Sequence, residues 1–133
     1  MSDPRLIQAA VEARAKAYAP YSKFSVGAAI KDEHGNIHKG CNVENATYPE
    51  GACAEVGAIT AMIVGGGRRI AEVAIVGAAP PLITPCGACR QKLREFASAD
   101  VLVHKCDEAG NVQKTMTLGA LLPESFGPEH LAK

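Results

Sequence analysis

Two short pieces of this chain limit its fold more than any others: Cys53-Ala54-Glu55 and Pro85-Cys86-Gly87-Ala88-Cys89. Each opens a predicted helix, and each helix follows a loop rich in turn residues. Two cysteines spaced C-x-x-C at a helix start can point at one metal ion, and Cys53 at the other helix start supplies a third thiolate. For that to happen, two helix N-termini must meet at one point. Three protein ligands plus a water is the arrangement of catalytic zinc, whereas four protein ligands usually mark a structural site. Helix N-termini also carry partial positive charge and free N–H groups, which lower thiol pKa and favour thiolate.

Glu55 stands two residues after Cys53, in the first turn of the same helix. From there a carboxylate reaches a metal-bound water without itself being a ligand. Zinc lowers the pKa of such a water to roughly 7, and a nearby glutamate takes that proton and delivers it to a substrate. Taken singly, these residues have plainer readings. The C-x-x-C could be a redox pair, Cys53 a small buried thiol, and Glu55 an acid favoured in a first helical turn. Taken together, C-x-E and P-C-x-x-C form the signature of zinc deaminases. Cys41 and Cys106 fall in or beside predicted strands and read as buried thiols. His34, His38, His104 and His130 lack metal-ligand spacing and read as non-ligands.

The rest of the chain supports an enzyme of small molecules. Its 133 residues suit one domain spanning 1–133, and 47% apolar residues are enough to fill one core. Lys+Arg and Asp+Glu balance at 14 each, which argues against a protein built to grip a phosphate backbone. No apolar run is long enough to span a bilayer. The segment Met1-Ser2-Asp3-Pro4-Arg5 lacks the layout of a signal peptide. A cytoplasmic protein is expected, and five cysteines in a reducing compartment read first as ligands, buried thiols or nucleophiles.

The element pattern is helix, hairpin, helix, strand, helix, strand, strand, helix. Asp3 and Pro4 start the first helix, which Pro20 should end near Ala19. Phe24 to Ile30 and Ile37 to Val43 form a hairpin about the turn Asp32-Glu33-His34-Gly35-Asn36. Cys53 to Val64 is a helix stopped by Gly65-Gly66-Gly67. Ile70 to Ala78 holds the buried-strand run Val73-Ala74-Ile75-Val76, ended by Ala79-Pro80-Pro81. A helix from Cys86 to Ala97, strands at Val101 to His104 and Val112 to Met116, and a short helix from Thr117 to Leu122 follow. Such an order gives an α/β fold: a mixed sheet with helices on its faces.

The segments YAPYSKFSVGAA (18–29), GCNVENATYP (40–49), CAE (53–55), PCGACRQ (85–91) and LLPESFGPEHL (121–131) carry a resemblance over most of the chain. It is similar to cytidine deaminases of the small, homotetrameric, three-cysteine zinc type. The resemblance implies a three-layer α/β/α fold with a mixed five-stranded sheet. It implies one Zn2+ per subunit on Cys53, Cys86 and Cys89. It further implies hydrolytic deamination of cytidine and deoxycytidine to uridine and deoxyuridine plus ammonia, as in pyrimidine salvage. Zinc-activated hydroxide would attack C4 while Glu55 acts as the catalytic proton shuttle. Asn42 and Glu44 would bind the ribose 3′-hydroxyl, and Phe24 would wall the base. Backbone groups near Ala54 and in the loop before Cys86 would read its edge. Phe126 would reach into a neighbouring subunit's site, so a homotetramer with shared active sites is implied, with no nucleic acid and no membrane as partner. Solvated hairpin-end residues remain the plainer reading of Asn42 and Glu44, and core packing that of Phe24.

One position departs from the pattern. Many relatives carry an arginine after CAE that hydrogen-bonds to the thiolates, and here Val56 stands there, followed by Gly57. Zinc with three thiolates has a formal charge near −1, which makes its water less acidic. Arg90 and the helix N-termini are the candidates to offset it. Three other functions fit parts of the pattern. A blasticidin S-type deaminase shares the zinc layout, but NVENATYP and LLPESF are closer to cytidine deaminases. An editor of bases within RNA or DNA needs basic surface, and a scaffolding zinc domain needs a fourth protein ligand.

Overall fold

The computed structural model describes residues 2–78 and 83–131. Ala79-Pro80-Pro81, expected to end a strand, lies outside them. The elements are α1 (Pro4–Arg14), β1 (Gly27–Asp32), β2 (Ile37–Cys41), α2 (Ala54–Val64), β3 (Ile70–Val76), α3 (Gly87–Arg94), β4 (Leu102–Cys106), β5 (Val112–Thr117) and α4 (Leu118–Leu121). Short 3-10 turns at Tyr48–Glu50 and Pro128–His130 complete the described chain. The sheet has five strands in the order β2-β1-β3-β4-β5. Only β3 and β4 are parallel. The other three pairings are antiparallel. This is the expected mixed sheet.

Strand periodicity divides the core into two layers. Ala28 and Ile30 on β1, Val73 and Ile75 on β3, and Val103 on β4 bury one face against Ala54, Ala58 and Met62 of α2 and Leu93 of α3. The alternate residues Ala29, Ala74, Val76 and Cys106 bury the other face against Leu6 and Ala10 of α1. Side chains that alternate along a strand point to opposite faces, so runs such as Val73-Ala74-Ile75-Val76 serve both layers.

Close approach between sheet and helices depends on missing side chains. A Cβ on Gly40 would lie 2.4 Å from the Ala58 nitrogen and 2.6 Å from the Ala54 oxygen, so β2 rests directly on the backbone of α2. On the opposite layer a Cβ on Gly27 would lie 2.1 Å from the Ala10 oxygen of α1.

Several elements are shorter than their sequence pattern suggests, because their end residues bond elsewhere. α1 stops at Arg14 rather than near Ala19. Tyr18 leaves the helix to donate its N–H to the Asn42 carbonyl (3.0 Å) and accept from the Glu44 N–H (2.9 Å). β1 begins at Gly27 rather than Phe24, since the Asn42 side chain takes the place of a ladder partner there: it accepts from the Val26 N–H (2.9 Å) and donates to the Phe24 carbonyl (2.8 Å). α3 ends at Arg94 rather than Ala97, because the Phe96 carbonyl accepts from the Ile70 N–H at the start of β3 (2.9 Å). Thr117 closes β5 and caps α4, accepting from the Ala120 N–H (3.1 Å).

A polar chain lies within the α1 layer. Asp3 caps α1 through the Arg5 N–H (2.9 Å) and pairs with Lys31 on β1 (3.2 Å). Lys31 also pairs with Glu72 on β3 (3.1 Å), Glu72 bonds His104 on β4, and His104 bonds the Thr115 hydroxyl on β5 (2.8 Å). The buried histidine is thus a satisfied structural group, as its lack of ligand spacing implies. Burial works to raise the Glu72 pKa, but Lys31 and His104 outweigh it and hold the carboxyl below its usual range.

Two outcomes are expected. Gly40→Ala should destabilise the protein by at least about 1–3 kcal/mol in urea unfolding, because α2 must move off β2. Glu72 has a depressed pKa, so its stabilisation is present above the ordinary carboxylate pKa and lost as pH falls through the lowered value. Glu72→Gln should therefore melt below the wild type at neutral pH, and the gap should begin to shrink as the pH falls below about 4 and close only beneath the lowered folded pKa.

Candidate metal centre

The two cysteine-bearing pieces meet. The Sγ atoms of Cys53, Cys86 and Cys89 all lie within 4.8 Å of one another. Cys53 occupies the N-cap of α2 and Cys86 the N-cap of α3, each with extended backbone. Their carbonyls already accept the first helical bonds, from Val56 (3.1 Å) and Arg90 (2.9 Å) respectively. Cys89 sits one turn into α3 and is buried, whereas Cys53 and Cys86 are exposed. The cluster is therefore anchored on its inner side and open on its outer side.

The donor set fits zinc. Tetrahedral zinc with sulfur bonds of about 2.3 Å holds its sulfurs roughly 3.8 Å apart, which falls inside the 4.8 Å that bounds the cluster. Crowding makes the thiols hard to ionise together. Burial raises the Cys53 pKa, and burial followed by the charges of Glu55 and Cys53 drives that of Cys89 far above its usual value. Cys86 differs: burial pushes it up, but the Cys89 and Ala88 N–H groups at the start of α3 and the neighbouring thiols outweigh this and lower it. A divalent cation removes that repulsion and holds all three as thiolates. Among the described residues, no fourth His, Cys, Asp or Glu joins the cluster.

Glu55 lies beside it, 4% exposed, with its pKa raised by burial and only partly brought back by its own backbone N–H and by Cys89. A carboxyl held above its usual range takes up protons more readily than an exposed one, as proton-transfer groups do. Ala54, between Cys53 and Glu55, is fully buried against the sheet.

A cavity of about 300 Å³ opens at the same end of the sheet, lined by Tyr21, Ser22, Glu44, Asn45, Tyr48 and Gly51. Its wall is joined to the metal ligands through backbone pairing. Val43 and Ala52 exchange both N–H···O bonds at 2.9 Å, and Ala52 leads directly into Cys53. Glu44 accepts from the N–H groups of Tyr21 (3.0 Å) and Ser22 (3.1 Å) and from the Ser22 hydroxyl, which keeps it ionised below the usual range. Asn42 is half-buried and bridges Phe24 and Val26 as described above, so its amide keeps one donor and one lone pair for another partner. Phe24 is partly buried against the α2 layer of the core.

Phe126 is not brought into this cavity. It is exposed, stacks on His130 with ring centroids 5.1 Å apart, and its carbonyl accepts from Gln91 on α3 (2.9 Å). Arg94 bonds the Ser125 hydroxyl (2.7 Å) and Glu129, fixing the same tail to α3. Arg90 does not reach the thiols. Its guanidinium donates to the carbonyls of Pro85 (2.8 Å) and Leu121 (2.8 Å) and to the Thr84 hydroxyl (3.2 Å), bracing the loop that delivers Cys86. Sequence reasoning missed Ser22, Tyr21 and Tyr48. Tyr21 and Ser22 stand in the polar turn Pro20-Tyr21-Ser22-Lys23 and Tyr48 in the loop after Glu44, and nothing local shows that these segments fold together.

Residues 1–105 match the family model described as the cytidine and deoxycytidylate deaminase zinc-binding region. The chain belongs to this family. The matched region contains Cys53, Glu55, Cys86 and Cys89, while Phe126 lies beyond it. A cytidine deaminase of Sporosarcina psychrophila is 39% identical over 132 residues, covering 99% of this chain and 96% of that protein. A cytidine deaminase of Mycobacterium tuberculosis is 38% identical over 124 residues, covering 93% and 89%. The crystal structure of a cytidine deaminase from Burkholderia pseudomallei superposes with a TM-score of 0.86 at 43% identity, over 95% of this chain and all of the other. The shared α/β fold with its mixed five-stranded sheet is thus that of the family.

Stripping the metal with a strong chelator should lower the melting temperature, since the ion binds the folded cluster and not the unfolded chain. Re-adding one equivalent of Zn2+ should restore it, and Cys89→Ser should show neither response.

Proposed function

We propose that this chain is a zinc-dependent hydrolase that converts cytidine and deoxycytidine to uridine and deoxyuridine with release of ammonia. The observation that carries this reading is the meeting of three thiols from two helix starts beside a buried glutamate, with a cavity of about 300 Å³ walled by Tyr21, Glu44 and Tyr48 at the same end of the sheet. The names of the relatives support the substrate class. Cys53, Cys86 and Cys89 would hold the ion. When bound, zinc acidifies the water in its open position and so supplies the nucleophile for C4 of the pyrimidine.

The remaining work falls to the chain's own side chains. Glu55 takes one proton from the attacking water and gives it to N3 of the base, then takes the second from the hydroxyl left on C4 and gives it to the departing amine, so that both protons of the water are accounted for. Its burial supports this role, because a carboxyl whose pKa is raised takes up a proton more readily than an ordinary one and can then deliver it. Glu44 and Asn42 hold the ribose 3′-hydroxyl, the carboxylate accepting and the amide completing the pair. Ser22 and the Tyr21 N–H keep Glu44 in place. Phe24 walls the base, and the backbone at Ala54 and before Cys86 reads its polar edge. Phe126, exposed on its own subunit, would enter a neighbour's site. The assembly is accordingly a homotetramer of single-domain subunits, each completing another's active site. A cytoplasmic nucleoside-salvage enzyme with no nucleic-acid or membrane partner fits the charge balance, and no described helix is long and apolar enough to cross a membrane.

Mixing the purified protein with cytidine and following the fall in absorbance tests the reaction. Turnover is expected in the wild type. Glu55→Ala should lose about 10²–10⁴-fold in kcat while still holding zinc, the range ascribed to a positioned acid–base group. A zinc-loaded wild type inert towards cytidine and deoxycytidine would contradict the substrate assignment.

A further inference from the structure

The two residues proposed to read the sugar also grip one short segment of chain from both ends. Glu44 holds its start: Oε1 accepts from the N–H groups of Tyr21 (3.0 Å) and Ser22 (3.1 Å), and Oε2 accepts from the Ser22 hydroxyl. Asn42 holds its end, donating to the Phe24 carbonyl (2.8 Å) and accepting from the Val26 N–H (2.9 Å). Between the two grips Lys23 takes a left-handed backbone conformation, with φ 61°. A residue other than glycine persists there only where its surroundings hold it. The Ser22 hydroxyl is fixed as closely as the backbone. It accepts from the Phe24 N–H (3.0 Å), and its only hydrogen goes to Glu44, because an ionised carboxylate accepts and cannot donate.

An ionised carboxylate offers about four acceptor positions. This segment takes three of them on Glu44, and among the described residues one on Oε2 is left open. Asn42 likewise keeps one N–H and one lone pair. Between them the pair offers one charged acceptor and one donor, the complement of a single hydroxyl. We infer that Ser22 is a specificity-determining residue of this chain: its hydroxyl, locked between the Phe24 N–H and Glu44, fills one position on Oε2 and aims the other at the 3′-hydroxyl of the sugar. It is a positioning residue that acts through Glu44 and touches no reacting atom. Without its hydroxyl, Glu44 keeps two backbone donors on Oε1, but Oε2 has nothing to orient it. The Phe24 wall stays in place, because Asn42 still holds the Phe24 carbonyl and the Val26 N–H. Loss of the hydroxyl therefore falls on the reading of the sugar and spares the base.

This inference rests on the proposed reaction and on Glu44 as the ligand of the 3′-hydroxyl, and a pair of substrates separates them. The zinc-loaded wild type, Ser22→Ala and Ser22→Thr are each assayed with cytidine and with 3′-deoxycytidine, which lacks that hydroxyl. Ser22→Ala is expected to lose about tenfold in kcat/KM for cytidine, the scale of one hydrogen bond to a charged group. The loss should lie in KM with kcat nearly unchanged, as for an interaction that ground and transition states share. Turnover of 3′-deoxycytidine, already poorer in the wild type, should be nearly the same in Ser22→Ala. Ser22→Thr keeps the hydroxyl and should restore cytidine. Ser22 is exposed, and equal melting temperatures of the three proteins check that the fold is kept. Equal losses on both nucleosides would overturn the inference, since the hydroxyl would then support the loop alone. So would an unchanged KM for cytidine in Ser22→Ala, or a loss that threonine does not repair. A wild type that handles both nucleosides alike would overturn the assignment of Glu44 to the sugar, and one inert towards both would overturn the proposed reaction; in either case the inference falls with it.

Discussion

Three thiols cannot share a few ångströms unless something holds them there, and the structure is arranged around that requirement. Two helix starts have to meet, and both must be fixed from below. α2 is fixed by Gly40, whose missing side chain lets β2 lie on the helix backbone. α3 is fixed by Leu93 in the core and by Arg90, which ties the loop before Cys86 to the end of α4. The parallel pair β3 and β4, joined through α3, places the start of that helix at the carboxyl end of both strands, where ligands of α/β folds gather.

Strand register brings the remaining polar groups to the same end. Gly27 pairs with Cys41 on one side and Val76 on the other. Phe24, Asn42 and the loop after β3 therefore leave the sheet together. The backbone bridge from Val43 to Ala52 carries the chain from Glu44 back towards Cys53. The two layers are consequently unequal in character. The α2–α3 layer supports the cysteines and Glu55 on a core of Ile30, Met62, Ile75 and Leu93, whereas the α1 layer contains the chain Asp3–Lys31–Glu72–His104. Each member of that chain has a charged or hydrogen-bonding partner, the condition under which buried polar groups are tolerated.

Much of this was legible in the residues. The cysteine spacing announced the cluster, and alternation and glycine punctuation announced the strands and the end of α2. Cys106 proved a buried thiol as read, while Cys41, at the end of β2, is only half-buried. What stayed hidden was tertiary. The early ends of α1 and α3 depend on bonds from Tyr18 to Asn42 and Glu44 and from Phe96 to Ile70, partners distant in sequence. Asn42 looked like a hairpin-end residue or a sugar ligand, and its structural bridge to Phe24 and Val26 has no local signature.

The proposed chemistry depends first on how the ion is coordinated. Zinc-edge X-ray absorption on the protein as isolated tests this most directly. Three sulfur scatterers at about 2.3 Å and one oxygen or nitrogen at about 2.0 Å are predicted, the pattern of a site that leaves a position open. Four sulfurs, or zinc bound by fewer than three, would contradict a catalytic centre built from Cys53, Cys86 and Cys89.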